Sequence, residues 1–404
     1  METLLAFFIC ITLVTIATAY FKFPPFPVLF GAAILFGSLS GLNPEIVTGA
    51  AATGAGRVFA ILGVAVWGGS IIAATLSSGG GIGRILSDLS RISSRPAVQA
   101  GFSGWLLAVP FMCAITPFLV IAPIIKGIAV DPKAAGRLFS LIAAGSVLSF
   151  VLIAPAPVMA TLMQIFSGDP GLNQITLPLS LILLIGIIAV SGRGIRMKET
   201  IPEEDITGRG AAWAPLAIPI ILIVIGFLVP EIGLIGSLPV ALISGAAVAV
   251  WLTKHTLRKE AVSSGTKHAG VIIFDLCGAG AFGGVIAAST FPTDAAGLLG
   301  AAVPLAVIPF ILAALIQTAQ GSRVVTAVIT ADIIAATAIP DLIPATPLIL
   351  MIAAGTMVIS YASDPFFWLI NRTAGQTVTE TGMTFTLPLA AAGFAVFGAA
   401  LLLL

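Results

Sequence analysis

The sequence predicts an all-α, polytopic membrane protein built as an inverted repeat, with about ten to twelve membrane helices and two re-entrant or broken-helix hairpins. Three observations carry this. Of 404 residues, 58% are hydrophobic and only 9% charged, where a soluble domain carries about a quarter charged. Apolar runs near the roughly 20 residues that cross a bilayer recur along the chain. Two of those runs are interrupted by proline, glycine or polar residues at a depth where a plain membrane helix tolerates none. The 18 basic and 17 acidic residues are too few to coat a soluble globule of this mass. A soluble enzyme, a nucleic-acid binder and a disulfide-stapled secreted domain are excluded, and the net charge of +1 offers no field for polyanions.

The first element is an apolar run over 3–21 with no basic residue before it, read as a membrane helix with its N-terminus outside. Pro24, Pro25 and Pro27 mark the turn, and helices follow near 27–41 and 58–78. Charges cluster at 84–95, 126–137, 193–209 and 254–267. These segments hold 14 Lys/Arg and 7 Asp/Glu, so the positive-inside rule sets all four in the cytoplasm. Residues 97–125 must then leave and return to one face, broken by Pro110, Pro117 and Pro123, as a re-entrant hairpin. The stretch 138–192 makes an out-and-back pair turning at Asp169, and 212–253 a second pair turning at Glu231. The polar segment 193–211 divides the chain into an N-terminal half, 1–192, and a C-terminal half, 212–404, and reads as a cytoplasmic linker. His255 and His268 both fall in the polar stretch near 254–267, which removes histidine from the candidate intramembrane proton carriers. Cys10, Cys113 and Cys277 lie far apart in apolar surroundings and read as packing residues; no metal-ligand spacing is present.

The halves share a string. WGGSIIAAT (67–75) and FGGVIAAST (282–290) match in the aromatic, both glycines and the final threonine. Each is followed by a polar break and an interrupted apolar segment, and the cytoplasmic assignments give the copies opposite directions, as in many secondary transporters.

Two constellations point to chemistry. QTAQGSR (317–323) interrupts an apolar run from Leu298 to Ile339, where buried polar groups are costly unless they line a cavity or satisfy unwound backbone. Gly321 and Ser322 open the helix and Arg323 begins the next. A new helix N-terminus attracts a carboxylate, and the forked cation of Arg323 suits the same anion. Read as a plain loop, the segment would make Arg323 an ordinary cytoplasmic charge, but Gln317 and Gln320 have no use there. In SYASDPFFWLINR (360–372), Asp364-Pro365 breaks the helix begun near Ile349, with Ser363 and Asn371 as flanking hydrogen-bonding groups. Asp364 reads as a titrating or cation-coordinating carboxylate or as a helix-terminal turn residue. Asp332 lies nine residues, about 14 Å, beyond Arg323, as a buried ion site or the end of a half-helix. Thr116 with Pro117 occupies the position in the first hairpin that mirrors Gly321 and Ser322.

At these residues the chain resembles the gluconate permease family of the ion transporter superfamily. GAGAFGGVIAAS (278–289), AALIQTAQGSRVVTAVITADI (313–333) and SYASDPFFWLINRTAGQTVTETGMTFT (360–386) are similar to its strings, and LLAVPFMCAITPFLVIAPI (106–124) looks like its first hairpin. APAPV (154–158) stands where the family has a proline-rich segment. The resemblance implies a symporter of the cytoplasmic, or inner, membrane that takes up gluconate or a related sugar acid with protons. It carries Gln320, Gly321 and Ser322 over to substrate binding and Asp364 over as the retained acid. Ser363 and Pro365 replace the family's Asn and Ser, Arg323 and Asp332 stand where it has small residues, and its first-hairpin acid is absent.

These readings place a small organic acid at mid-membrane, its carboxylate at Ser322 and Arg323 and its hydroxyls near Gln320, Thr116, Ser363 and Asn371. Asp364 or Asp332 takes the coupling proton. A sodium-coupled or exporting carboxylate transporter is the alternative. No catalytic residue, metal or cofactor is expected, and no nucleic acid. Beyond the substrate the partner is the lipid bilayer, with a homodimer left open.

Overall fold

A computed structural model describes residues 2–128, 131–195, 207–229, 233–361 and 364–404. Every regular element among them is helical, and six helical stretches are long and apolar enough to cross a membrane. The first half runs α1 (Glu2–Thr15, extended by a π-turn over Ile16–Tyr20), α2 (Pro25–Leu39), α3 (Pro44–Ser78), α4 (Gly81–Ile92), α5 (Pro96–Ala108), α6 (Ile115–Ile128), α7 (Pro132–Leu152), α8 (Pro157–Ile165) and α9 (Asn173–Ser191). The second half runs α10 (Arg209–Leu228), the single turn α11 (Gly233–Gly236), α12 (Leu238–Leu252), α13 (His255–Ala287), α14 (Phe291–Gly300), α15 (Ile308–Gln320), α16 (Arg323–Ala335), the turn α17 (Ile339–Leu342), α18 (Ala345–Val358), α19 (Pro365–Ala374), the turn α20 (Val378–Thr381) and α21 (Leu387–Leu402).

One order of parts occurs twice: two helices, a very long helix, a short helix, two interrupted helices and a closing helix. The long members are α3, of 35 residues, and α13, of 33. Their contacts pair Gly54 with Gly280, Ala50 with Gly284, and Ser70 with Gly265, so the residue numbers rise in one as they fall in the other. The helices that carry WGGSIIAAT and FGGVIAAST therefore run antiparallel. Their crossing is close enough to exclude any side chain: a Cβ on Gly54 would sit 2.0 Å from the Gly280 carbonyl oxygen. With no hydrophobic drive between helices in lipid, such backbone approach is what holds them.

Sequence patterning explains the local elements. Asn43 caps α3 by accepting from the Glu45 amide, with Pro44 in the first turn. Ile82, Ile85, Leu86 and Leu89 are buried along one face of α4 while Arg84, Asp88 and Arg91 line the other. Where the charges of 84–95 suggest a loop, the chain is thus an amphipathic helix. Asp131 caps α7, and Asp169 caps the turn before α9, at the expected outer end of the 138–192 pair.

Three expectations change. The helix expected at 58–78 starts at Pro44. The polar stretch 254–267 is no loop: Lys254 is an N-cap and α13 is continuous from His255. This happens because Trp67 Nε1 of α3 donates to Thr266 Oγ1 at 3.1 Å and Gly265 lies against Ser70, so α3 covers one side of a segment polar enough to stand in water on the other. Third, the linker ends before Arg209, which opens α10 and reaches back to α4: its guanidinium meets Asp88 at 2.9 Å, and Trp213 Nε1 donates to the same carboxylate at 3.0 Å. Residues 196–206 of the linker and Glu231 lie outside the described residues.

Gly54→Val is expected to abolish or sharply reduce folded protein, since overpacking a tight contact costs about 1–3 kcal/mol or more. Gly56→Ala, where an added Cβ meets nothing within 4 Å, should leave the thermal midpoint nearly unchanged; equal losses for both would remove the close-crossing argument. The Asp88 contact is also pH-dependent. Partial burial raises its pKa, but the hydrogen bonds from Trp213 and Arg209 and the charges of Arg209 and Arg84 outweigh this and hold it below the ordinary value. Its contribution is therefore full above the unfolded carboxylate pKa of about 4 and is lost as pH falls through the folded value. The midpoint difference between wild type and Asp88→Asn should shrink on acidification.

Candidate functional site

The first interruption of the C-terminal half is built by glycine. Gly321 adopts φ +73, ending α15 with its amide on the Gln317 carbonyl; Ser322 is extended, and Arg323 is the first residue of α16. Thr326 Oγ1 donates to Gln317 Oε1 at 2.9 Å. In one straight helix these residues would stand about 14 Å apart, so α15 and α16 fold back as the two arms of a hairpin. The N-terminal half repeats the device. Between α5 and α6 lie Val109–Ala114, with Met112 at φ +52, and this tip rests against Gly69 of α3. Both tips thus turn on a residue in the left-handed region, here a glycine and there a methionine, for which the conformation is strained.

The remaining two interruptions are breaks rather than hairpins. The chain between α7 and α8 is held by Asn173, whose Oδ1 accepts from the Ala154 amide and whose Nδ2 donates to the Ala154 carbonyl, at 2.9 and 2.8 Å. Between α18 and α19, the Ser360 carbonyl accepts from Thr386 Oγ1. In each case the start of the closing helix supplies the side chain that satisfies exposed backbone.

The hairpin tip and the second break meet at a buried ion pair. Arg323 Nη2 lies 3.0 Å from Asp364 Oδ2, with side-chain exposures of 5% and 2%, and donates also to Ser360 Oγ. Asp364 is the N-cap of α19, its Oδ1 accepting from the Phe366 amide at 2.8 Å. Arg323 stands at the positive end of α16, a poor place for a cation on its own, and Asp364 relieves it. The N-terminus of α19 and the guanidinium from the first turn of α16 thus converge on one carboxylate. Arg323 Nε has no hydrogen-bond partner among the described residues. That burial excludes the plain-loop reading of Arg323. The first hairpin reaches the same neighbourhood through Phe118 of α6, whose ring centroid is 5.6 Å from that of Phe366.

Several other residues expected in the site have partners of their own. Thr116 shares a hydrogen bond of 3.2 Å with His268 Nε2, and Cys113 lies beside the same ring. Asn371 spends Nδ2 on the Gln376 carbonyl and Thr381 Oγ1, bracing the turn after α19. Asp332 is buried and forms a second pair, with the partly exposed Arg57 of α3; its Oδ2 has no partner among the described residues and lies 2.6 Å from where a Cβ on Gly283 would be. Ser322 is partly buried at the N-cap of α16. Ser363 and the Gln320 side chain lie outside what is described.

Three residues escaped the sequence reading. His268 was set aside with the polar stretch; on α13 it reaches the first hairpin tip. Arg57 sits in a long small-residue helix, and only a basic residue between apolar and glycine positions signalled it. Ser360 begins the string SYASDP and was passed over for Ser363.

Comparison with known proteins follows the same direction. The sequence model described as GntP family permease matches residues 2–404. The chain is 24% identical to the inner membrane permease YgbN of Escherichia coli over 93% of its length and 92% of that protein. It is 24% identical to a gluconate permease of Pseudomonas aeruginosa, over 91% and 89%, and 33% identical to an Escherichia coli low-affinity gluconate transporter over 30% and 28%. Among solved structures, it superposes on the Alcanivorax borkumensis YdaH transporter, described as having an unusual topology. The TM-score is 0.62 at 17% identity, covering all of this chain and 97% of that one, which bears on the fold alone.

Arg323→Gln leaves Asp364 charged and buried without a counter-ion, a loss expected to cost about 3–5 kcal/mol. Adding Asp364→Asn should recover most of the lost thermal midpoint. Additive losses in the double variant would show that the two side chains do not interact as described.

Proposed function

The chain belongs to the GntP permease family, a family of multi-pass membrane transporters, and from that premise we propose that it is a proton-coupled symporter of a small organic anion such as gluconate or a related sugar acid. The observation that carries the proposal is the buried Arg323–Asp364 pair at the tip of the second hairpin. A substrate carboxylate that seeks Arg323 must compete with Asp364 for one guanidinium. A proton on Asp364 removes the competitor and leaves an unbalanced cation facing the anion. Proton and anion then load together, and the loaded site carries no more net charge than the empty one, which lowers the cost of reorienting within lipid.

In this reading the carboxylate sits at Ser322 and Arg323, across the N-terminal amides of α16. Hydroxyls lie toward Gln320, Ser363 and the first hairpin at Thr116, and Asn371 has its Oδ1 to offer. The two halves, 1–192 and 212–404, act as inverted repeats moving against each other, which the antiparallel course of α3 and α13 supports. Charges cluster toward the cytoplasm, the N-terminus lies outside, and the protein resides in the inner membrane as a monomer or homodimer, which mass photometry separates. Asp332 is the second candidate for the coupling acid, its free oxygen the place for a proton and Arg57 its standing counter-ion.

Proteoliposomes test this. An inward proton gradient should drive accumulation of gluconate or another sugar acid; accumulation driven by sodium and indifferent to pH would overturn the coupling ion, and efflux-only transport the direction. Asp364→Asn is expected to lose gradient-driven accumulation while retaining exchange. If it accumulates normally and Asp332→Asn does not, the role moves to Asp332. Arg323→Gln, measured in the Asp364→Asn background where the protein stays folded, should raise KM about tenfold or more, the loss of one charge-assisted contact.

A further inference from the structure

We propose that the foot of the first hairpin holds a binding site for the phosphate of an anionic phospholipid, independent of which anion the protein carries. A cavity of about 520 Å³ lies between the start of α5 and the end of α9, lined among others by Arg95, Ala97, Ile188 and Arg193. Among the described residues no acidic side chain lines it, and neither arginine has a carboxylate partner there. Both belong to charge clusters that the positive-inside pattern sets at the cytoplasmic surface.

The backbone around the cavity is arranged for an anion. Pro96 has no N–H, and the amides of Val98 and Gln99 bond the Arg95 carbonyl, so Ala97, which lines the cavity, carries the remaining amide of the first turn at the positive end of α5. The end of α9 would ordinarily oppose this with bare carbonyls. Here Arg137 of α7 donates from Nη2 to the carbonyls of Ser191 and Arg193, at 2.6 and 2.7 Å, and from Nε to Ser191. The negative pole is thereby covered and the cavity keeps a positive field.

A second feature selects a lipid over free phosphate. Ile182 and Ile185 of α9 are 65% and 64% exposed, and with Ala189, which lines the cavity, they follow i, i+3, i+7 along one face. Val190, beside it, is 73% exposed. An apolar column therefore runs up the outside of α9 and ends at the two arginines, the layout of an acyl chain below a phosphate. Juxtamembrane basic residues attract anionic lipid. Because α5 is one arm of the first hairpin and Gly101 of α5 packs on Leu184 and Ile188 of α9, the lipid would fasten the foot of that hairpin to a neighbouring helix.

The full-length protein in a mild detergent is titrated with phosphatidylglycerol, phosphatidylcholine or inorganic phosphate while its thermal midpoint is followed. Phosphatidylglycerol is expected to raise the midpoint by several degrees and the other two to leave it in place. The Arg95→Gln/Arg193→Gln variant should require about tenfold more phosphatidylglycerol for the same rise, with an unchanged midpoint in its absence. An undiminished response in that variant overturns the site, and an equal response to phosphate overturns the lipid. A photoactivatable phosphatidylglycerol on the wild type checks the place without any substitution: labelling of 95–98 or 188–195 supports the site, and labelling confined to other segments refutes it.

Discussion

Backbone that cannot find water must find a partner in the protein. That constraint governs this fold, because the chain interrupts four of its helices and must account for every amide and carbonyl so released. At the breaks it does so with side chains, Asn173 at the first and Thr386 and Asp364 at the second, and at the hairpin tips with local backbone bonds, the turn on Gly321 at one and those from Phe111, Met112 and Cys113 at the other. The cost of these interruptions is sustained because each creates something an unbroken helix lacks, a half-helix that begins inside the bundle.

Charge follows the same economy. The two Arg–Asp pairs differ in what surrounds them. Arg323 and Asp364 are both buried, with a short contact to Ser360, so the pair is closed to bulk water. Arg57 is 39% exposed while Asp332 is 1% exposed, so the second pair runs from an open side to a closed one. Neither pair can lose one member cheaply, since a lone charge at this depth is far worse than a matched pair. A site built this way responds to protons and anions because it has so few ways to be neutral.

Much of the fold was legible in the sequence because the membrane makes composition and punctuation unusually informative. Both helix interruptions could be placed from Pro110 to Pro117 and from Gln317 to Ser322, since polar or proline-rich text inside an apolar run has few permissible meanings. Arg323 and Asp364 were singled out for the same reason. Their direct pairing was not readable: they are 41 residues apart, and only tertiary structure sets the first turn of α16 against the N-cap of α19. His268 was misjudged because hydropathy cannot tell a polar loop from a helix that one neighbour covers on a single side. Arg57 was hidden by its own helix, whose small residues advertise packing and whose lone cation looks incidental without the position of Asp332.

The crossing of α3 with α13 has a consequence for how such a chain arose. The contact reads alike from either direction, with Gly54 against Gly280 and positions before one glycine facing positions after the other. An arrangement of that kind is what two copies of a shorter polypeptide make when they associate head to foot, one inserted each way through the bilayer. Joining them end to end would then add a tether and little else.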